Sequence, residues 1–113
     1  MHEMSLAEGV LQLIEDARRR QAFARVLSVH LEVGTLAGVE ADAMRFCFDA
    51  VTRGTVADGA RLEIVAAPGK GSCMGCGETV EMQELYGDCP RCGSAQVQVT
   101  GGTELRVSEL EVD

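Results

Sequence analysis

Two pairs of cysteines with the spacing C-x2-C constrain this chain more than any other feature of its sequence. The first pair is Cys73 and Cys76, the second is Cys89 and Cys92, and twelve residues separate the pairs. Two residues between cysteines allow both thiolates to bend around one ion, and four thiolates form a tetrahedral ligand set for Zn²⁺. Because sulfur fills all four coordination positions, we predict one structural zinc ion held by these side chains.

Other interpretations of the four cysteines stay open from the sequence alone. Iron also occupies sites with four sulfur ligands. Two disulfides are disfavoured because cytosolic thiols are kept reduced, and a redox role is disfavoured because two pairs on matching turns indicate coordination. The fifth cysteine, Cys47, lies on or beside the apolar face of a predicted helix, where a buried small hydrophobic residue is the favoured interpretation.

The segment that carries the cysteines is predicted to be a module inserted before the last strand. Glycine-rich stretches at 68–72 and 100–102 are interpreted as flexible hinges, which gives an inserted domain at 69–102 within a domain made of 1–68 and 103–113. A module of about thirty residues buries too little apolar surface to be stable alone, and zinc binding would supply the missing stability. Its apolar cluster is predicted to comprise Val80, Met82, Leu85, Tyr86, Val97 and Val99.

Hydrophobic periodicity outside the insert predicts the order helix, strand, helix, strand and, after the insert, a third strand. Ser5 and Glu8 have the spacing of a capping box, so the first helix is expected to begin near Ser5, with residues 1–4 ahead of it. Leu27 is assigned to the buried face of the first strand and Phe46 to the apolar face of the second helix. The predicted fold class is α+β, a three-stranded sheet with two helices plus an inserted zinc-ribbon-like module with four cysteines.

Charge and the absence of known motifs exclude several classes of function. The formal net charge is −8, which repels nucleic-acid phosphate, so we expect no nucleic-acid partner. No stretch approaches the roughly 20 apolar residues of a membrane span, and no signal-peptide pattern is present, so a cytoplasmic location without a membrane partner is expected. Phosphate-loop, G-x-S-x-G and H-E-x-x-H motifs are absent, and two histidines with one lone cysteine form no convincing nucleophile–base set. We therefore expect no enzymatic activity.

The first three residues place three potential metal donors side by side: the amine of Met1, the imidazole of His2 and the carboxylate of Glu3. A frayed polar terminus is the ordinary interpretation of such residues. Glu3 is equally well interpreted as a carboxylate favoured by a helix dipole. Glu40 or Asp42, ahead of the second helix, could approach this segment, although simple capping is the favoured role for both.

Several stretches carry a family resemblance: MHEMSL, VGTLAGVEADAMRFCFDAVTRGT, GARLEIV, CMGCG with CPRCG, and GGTELRVSELEV. Together they cover essentially the whole chain, and they resemble the HypA/HybF family of hydrogenase nickel-incorporation proteins. The resemblance implies a nickel metallochaperone for maturation of NiFe hydrogenase, with His2 as the nickel ligand and the four cysteines on zinc. It also implies two partners, a HypB-type GTPase and a nickel-hydrogenase large-subunit precursor.

Elementary coordination chemistry agrees with that implication. Ni²⁺ suits nitrogen ligands in a square-planar arrangement. The His2 imidazole, its backbone nitrogen and the Met1 amine can reach one ion, and Glu3 is a further candidate ligand. An exposed and incomplete site suits a carrier that must release its ion, so we expect one transient Ni²⁺ and one structural Zn²⁺. The alternative functions are a zinc-ribbon protein-interaction adaptor without nickel transfer and, less favoured, a thiol redox switch.

Overall fold

The computed structural model of the protein describes residues 2–113. Within them the elements follow the order α1 (Glu3–Arg20), β1 (Val26–Gly34), α2 (Ala41–Thr52), β2 (Arg61–Ala67), β3 (Gly69–Cys73), β4 (Thr79–Met82), β5 (Val97–Gly101) and β6 (Leu105–Val112). The strands form two three-stranded sheets, ordered β2-β1-β6 and β4-β3-β5. This arrangement confirms the predicted α+β fold and the predicted order of its elements. None of the helices in residues 2–113 is both long enough and apolar enough to cross a membrane.

The chain divides into two compact units that differ in composition. Unit 1 comprises Met1–Leu31, Val39–Ile64 and Val107–Asp113, and unit 2 comprises Glu32–Gly38 and Val65–Arg106. Unit 1 holds both helices, and unit 2 holds the β4-β3-β5 sheet with all four paired cysteines. The domain boundaries predicted from the sequence, 69–102 within 1–68 and 103–113, describe segments that fold independently. A division into compact units does not test independent folding, so these boundaries stay a prediction.

The core of unit 1 is almost entirely aliphatic, and α1 packs against α2 within it. Two of the residues assigned to this core from the sequence are exposed: Phe46 is 73 % exposed and Leu27 lies on the solvent side of β1. In β1 the neighbouring Ser28 is buried instead, because its hydroxyl donates a hydrogen bond to the Glu111 carboxylate. The buried residues from α1, β1 and α2 are Ala7, Val10, Ile14, Val26, Val29, Leu31, Met44, Cys47 and Phe48.

The first helix begins earlier than the capping box predicts. It starts at Glu3 rather than near Ser5, and the Leu6 N–H donates to the carbonyl oxygen of His2 at 2.9 Å. The expectation that residues 1–4 precede the helix is therefore wrong for Glu3 and Met4, and Glu3 is only 5 % exposed. Its carboxylate oxygen Oε2 accepts the backbone N–H of Glu40 at 3.2 Å. A tertiary hydrogen bond thus holds the residue at which the helix begins.

The two glycine-rich stretches predicted to be flexible hinges are parts of the second sheet. β3 begins at Gly69 and pairs antiparallel with both β4 and β5, and β5 runs to Gly101. A Cβ atom on Gly34 would lie 2.1 Å from the carbonyl oxygen of Gly102, and one on Gly102 would lie 2.4 Å from the Cα of Gly69. These three glycines allow backbones to approach closely, so close packing rather than flexibility explains them.

Unit 2 has a small core in which the first cysteine of each pair is buried. It comprises Leu36, Cys73, Val80, Met82 and Cys89, with Val97 and Val99 packed against it. The cluster predicted from the sequence is correct for four residues on β4 and β5, namely Val80, Met82, Val97 and Val99. It is wrong for Leu85 and Tyr86, which are 44 % and 96 % exposed. It also omitted Leu36, which lies far from the other members in the sequence.

Candidate metal centres

The four paired cysteines meet at one point in unit 2. Their Sγ atoms all lie within 4.8 Å of one another, with 3.5 Å between Cys73 and Cys92 and 3.9 Å between Cys76 and Cys89. A tetrahedral zinc site with Zn–S bonds of about 2.3 Å has S–S edges of about 3.8 Å. These separations suit four thiolates around one ion and exceed the roughly 2.05 Å of a disulfide bond. The sulfur geometry therefore fits a resident Zn²⁺ and does not fit the disulfide interpretation.

Two copies of one backbone turn hold the sulfurs in place. In the first turn, residues 73–78, the N–H groups of Gly75 and Cys76 donate to the Cys73 sulfur at 3.3 and 3.4 Å. The second turn, residues 89–94, repeats this pattern, with two N–H groups donating to the Cys89 sulfur at 3.4 and 3.5 Å. A glycine with positive φ closes each turn. Backbone N–H groups directed at the first sulfur of each pair stabilise it as a thiolate, which is the form that binds metal.

The thiol pKa values follow this arrangement. The Cys76 N–H is the main cause that lowers the pKa of the Cys73 thiol to about 6, against the opposing effect of desolvation. The pKa of Cys89 is lowered in the same way by the Cys92 N–H. At Cys92 a backbone hydrogen bond from Ser94 lowers the thiol pKa, but the neighbouring Cys73 sulfur and desolvation together raise it to about 12. Each pair thus offers one thiolate that forms readily and one thiol that a cation must deprotonate.

The other residues predicted as metal donors lie at the amino-terminal end of unit 1. The His2 side chain is 52 % exposed, and its Nδ1 atom lies 3.8 Å from Oε2 of Glu3. The same Oε2 atom accepts the Glu40 N–H, which is the main cause that lowers the pKa of the Glu3 carboxyl below its ordinary value. Glu3 is therefore an anion that is fixed beside an accessible imidazole. Met1, whose amine is the third predicted donor, lies outside the described residues.

The remaining candidate residues have structural partners. The Glu40 side chain accepts the backbone N–H groups of Asp42 and Ala43 at 3.2 and 2.7 Å, so the predicted capping of α2 is confirmed for Glu40. Cys47 is buried, as predicted. Glu40 also approaches the amino-terminal segment, as the sequence allowed, but through its backbone N–H, which donates to Glu3 37 positions away.

Comparison with known proteins gives concordant results. A family profile described as "Hydrogenase/urease nickel incorporation, metallochaperone, hypA" matches residues 1–112. Two similar relatives are the proteins named hydrogenase maturation factor HypA from Albidiferax ferrireducens, 67 % identical, and from Dechloromonas aromatica, 64 % identical. Each alignment spans 113 residues and covers all of both chains.

The fold also matches a solved structure. The solution structure of the Ni metallochaperone HypA from Helicobacter pylori superposes with a TM-score of 0.73 at 25 % sequence identity. The superposition covers 99 % of this chain and 97 % of the other. Sequence, fold and the clustered cysteines agree, and the chain belongs to the HypA family of hydrogenase and urease nickel-incorporation metallochaperones.

Proposed function

We propose that this chain binds Ni²⁺ as cargo at its amino-terminal residues and delivers it for maturation of NiFe hydrogenase, while a structural Zn²⁺ holds unit 2 together. The observation that carries the proposal is the exposed His2 imidazole beside the fixed Glu3 carboxylate, in a chain of the HypA family. The role proposed here is that of a delivery protein rather than an enzyme. The alternative is a zinc-ribbon adaptor that binds partners without transferring nickel.

The zinc part of the proposal assigns Cys73, Cys76, Cys89 and Cys92 as the four ligands. The S–S separations near the edge length of a tetrahedral zinc–thiolate site support it. Metal analysis of protein purified under reducing conditions is expected to give one zinc per chain, and Cys73→Ser should reduce it sharply. Iron at the same stoichiometry, or no metal, would contradict the assignment.

The nickel part assigns His2 as a ligand, with the Met1 amine and the His2 backbone nitrogen as partners. Nitrogen donors in a small chelate ring suit square-planar Ni²⁺. Glu3 is a weaker candidate ligand, because one of its oxygens already accepts a backbone N–H and its side chain is largely buried. An exposed site with few protein ligands holds its ion loosely enough for transfer to a partner.

The chain contains its own control for the test of His2. His30 is the second of two histidines, and its side chain is partly exposed on β1. In a nickel titration of zinc-loaded protein, we expect one Ni²⁺ per wild-type chain, the same for His30→Ala, and none for His2→Ala. If His2→Ala and His30→Ala bind nickel equally well, the proposed site is wrong, and if the zinc-loaded wild type binds no Ni²⁺, the adaptor alternative is favoured.

The role of the Met1 amine is tested by adding a residue ahead of it rather than by replacing a side chain. The amine of a chain that begins at Met1 has an ordinary pKa of about 7.7–8.0, so nickel can displace its proton near neutral pH. An extra residue ahead of Met1 should weaken nickel binding strongly, although His2 is kept. Undiminished binding by the extended chain would mean that the amine is not a ligand and that carboxylates such as Glu3 complete the site.

Delivery requires partners, and we propose a HypB-type GTPase and a nickel-hydrogenase large-subunit precursor in the cytoplasm, with no nucleic acid and no membrane involved. The net charge of −8 favours basic partner surfaces, so association should slow as salt concentration rises. Titration of each purified protein with the zinc-loaded chain tests this directly. Tight binding to random duplex DNA at physiological salt would contradict the argument from charge.

We also propose that residues 69–102 fold as a zinc-dependent module within a domain made of 1–68 and 103–113. Hydrogen exchange should then increase throughout 69–102 when zinc is removed, while the amides of α1 and α2 keep their protection. Loss of protection in both helices at the same time would show one cooperative unit.

A further inference from the structure

The 81–88 loop of unit 2, which includes the last two residues of β4 and the turn that follows them, exposes apolar side chains where a turn usually carries polar ones. The Gly87 N–H donates to the Glu84 carbonyl oxygen at 3.4 Å, which makes Leu85 and Tyr86 the two residues at the tip of a turn. Tyr86 is almost fully exposed, and Leu85 beside it is also exposed. Neither residue belongs to the core of unit 2, so folding does not explain their apolar character.

The surroundings of this tip are acidic. Residues 81–88 include three carboxylates and no lysine or arginine, although Lys70 lies opposite Glu81 on the neighbouring strand and Arg91 follows in the sequence. All three, Glu81, Glu84 and Asp88, line a shallow surface cavity of about 230 Å³, together with Met82 and Pro90. A cavity with this lining suits the stem and charged head of a lysine or arginine side chain.

We infer that the turn formed by residues 84–87 is a docking surface for a protein that offers an apolar pocket bordered by lysine or arginine. The side chains of Leu85 and Tyr86 enter the pocket, and the carboxylates of the 81–88 loop pair with its basic border. Tyrosine is enriched among residues that dominate binding energy, because it adds a large rigid contact area for little conformational entropy. The hydrogen-bonded turn further lowers the ordering cost of binding.

This inference rests on the proposed function for the choice of probes. The purified HypB-type GTPase and the purified hydrogenase large-subunit precursor are each titrated with the full zinc-loaded chain, as wild type, Tyr86→Ser and Leu85→Ser. Phe46→Ser is the matched control, because Phe46 is another strongly exposed aromatic residue but lies in unit 1. Zinc content and the circular dichroism spectrum verify that each variant is folded.

We expect Tyr86→Ser to weaken binding of at least one of the two proteins by about tenfold or more, as truncation of a dominant interface aromatic does. Leu85→Ser should weaken the same interaction by a smaller factor, and Phe46→Ser should leave it within about twofold. Glu84→Lys should slow association and reduce its dependence on salt, since the carboxylate attracts a basic border.

Three results would overturn the inference. Binding of both proteins that is unchanged in Tyr86→Ser and Leu85→Ser would place the interface elsewhere. An equal loss in Phe46→Ser would indicate a general effect of lost surface hydrophobicity. If the wild type binds neither protein, this docking surface is rejected, whereas nickel carriage is judged separately by the His2 titration, in which Tyr86→Ser should still bind one Ni²⁺.

Discussion

Replacing Gly102 with alanine should destabilise the protein much more than replacing Gly38, although both glycines have positive φ. Gly102 has a φ of +85° and Gly38 a φ of +71°, so alanine meets similar backbone strain at both positions, about 1–2 kcal/mol. A Cβ on Gly38 has nothing within 4 Å. A Cβ on Gly102 would lie 2.4 Å from the Cα and 2.8 Å from the N of Gly69.

The difference between the two variants measures the crowding alone. Backbone atoms cannot rotate away as a flexible side chain can, and overpacking of this kind costs about 1–3 kcal/mol. The lower entropy of an unfolded chain with alanine in place of glycine returns about 0.4–1 kcal/mol in both variants. We therefore expect about 2–4 kcal/mol of destabilisation for Gly102→Ala and about 1 kcal/mol or less for Gly38→Ala.

Equilibrium urea unfolding of the zinc-loaded variants, followed by circular dichroism, tests the expectation. With a slope of about 1–3 kcal/mol per molar urea, the Gly102→Ala midpoint should fall by roughly 1 M relative to Gly38→Ala. If Gly102 were part of a flexible hinge, the chain could move away from the added Cβ, and Gly102→Ala would cost no more than the backbone strain that Gly38→Ala also carries. Equal midpoints for the two variants would therefore refute the close-packing explanation and restore the hinge interpretation.

Three further outcomes are expected. Phe48→Ala should cost about 3–5 kcal/mol in urea unfolding because Phe48 is fully buried, whereas Phe46→Ala on the exposed side of the same helix should stay within about 0.5 kcal/mol. The hydrogen bond from the Ser28 hydroxyl is the main cause that lowers the pKa of the Glu111 carboxyl below 4.5, so this carboxylate stabilises the fold above that pH and stops doing so as pH falls through its lower folded-state pKa. The difference in unfolding free energy between wild type and Glu111→Gln should therefore shrink over that range of falling pH. A difference that does not depend on pH would contradict this assignment. Removal of zinc by a chelator should be easier in acid, because protons compete with zinc for the thiolates. For each zinc ion released, a colorimetric thiol assay should detect four newly reactive thiols.

Local sequence patterns predict the two helices and the β2-β1-β6 strands well because their hydrophobic residues recur with a helical or strand period. The helix and strand order of unit 1 follows from hydrophobic spacing, and the four cysteines follow from their C-x2-C spacing. The start of α1 does not follow from a local pattern. Ser5 and Glu8 match a capping box, but the helix begins at Glu3, whose carboxylate accepts a hydrogen bond from the distant Glu40 backbone.

The same limit explains one of the two errors in unit 2. Composition alone identified glycines at both ends of the insert but could not distinguish a flexible hinge from a close backbone contact, since the contact joins Gly34, Gly69 and Gly102 across the sequence. Hydrophobicity alone assigned Tyr86 to the core, whereas a turn carries it outward. Contacts distant in sequence decided the case of the glycines, and a local turn that hydrophobicity does not reveal decided the case of Tyr86.

The near-ultraviolet spectroscopy of this protein follows from the position of Tyr86. The chain has no tryptophan and one tyrosine, so its intrinsic emission on excitation near 280 nm comes from a side chain that is already in water. Unfolding should therefore change that emission little, while burial of the ring against a partner without tryptophan should change it clearly. The fluorescence of Tyr86 thus reports the binding of a partner at this turn rather than the folding of the chain.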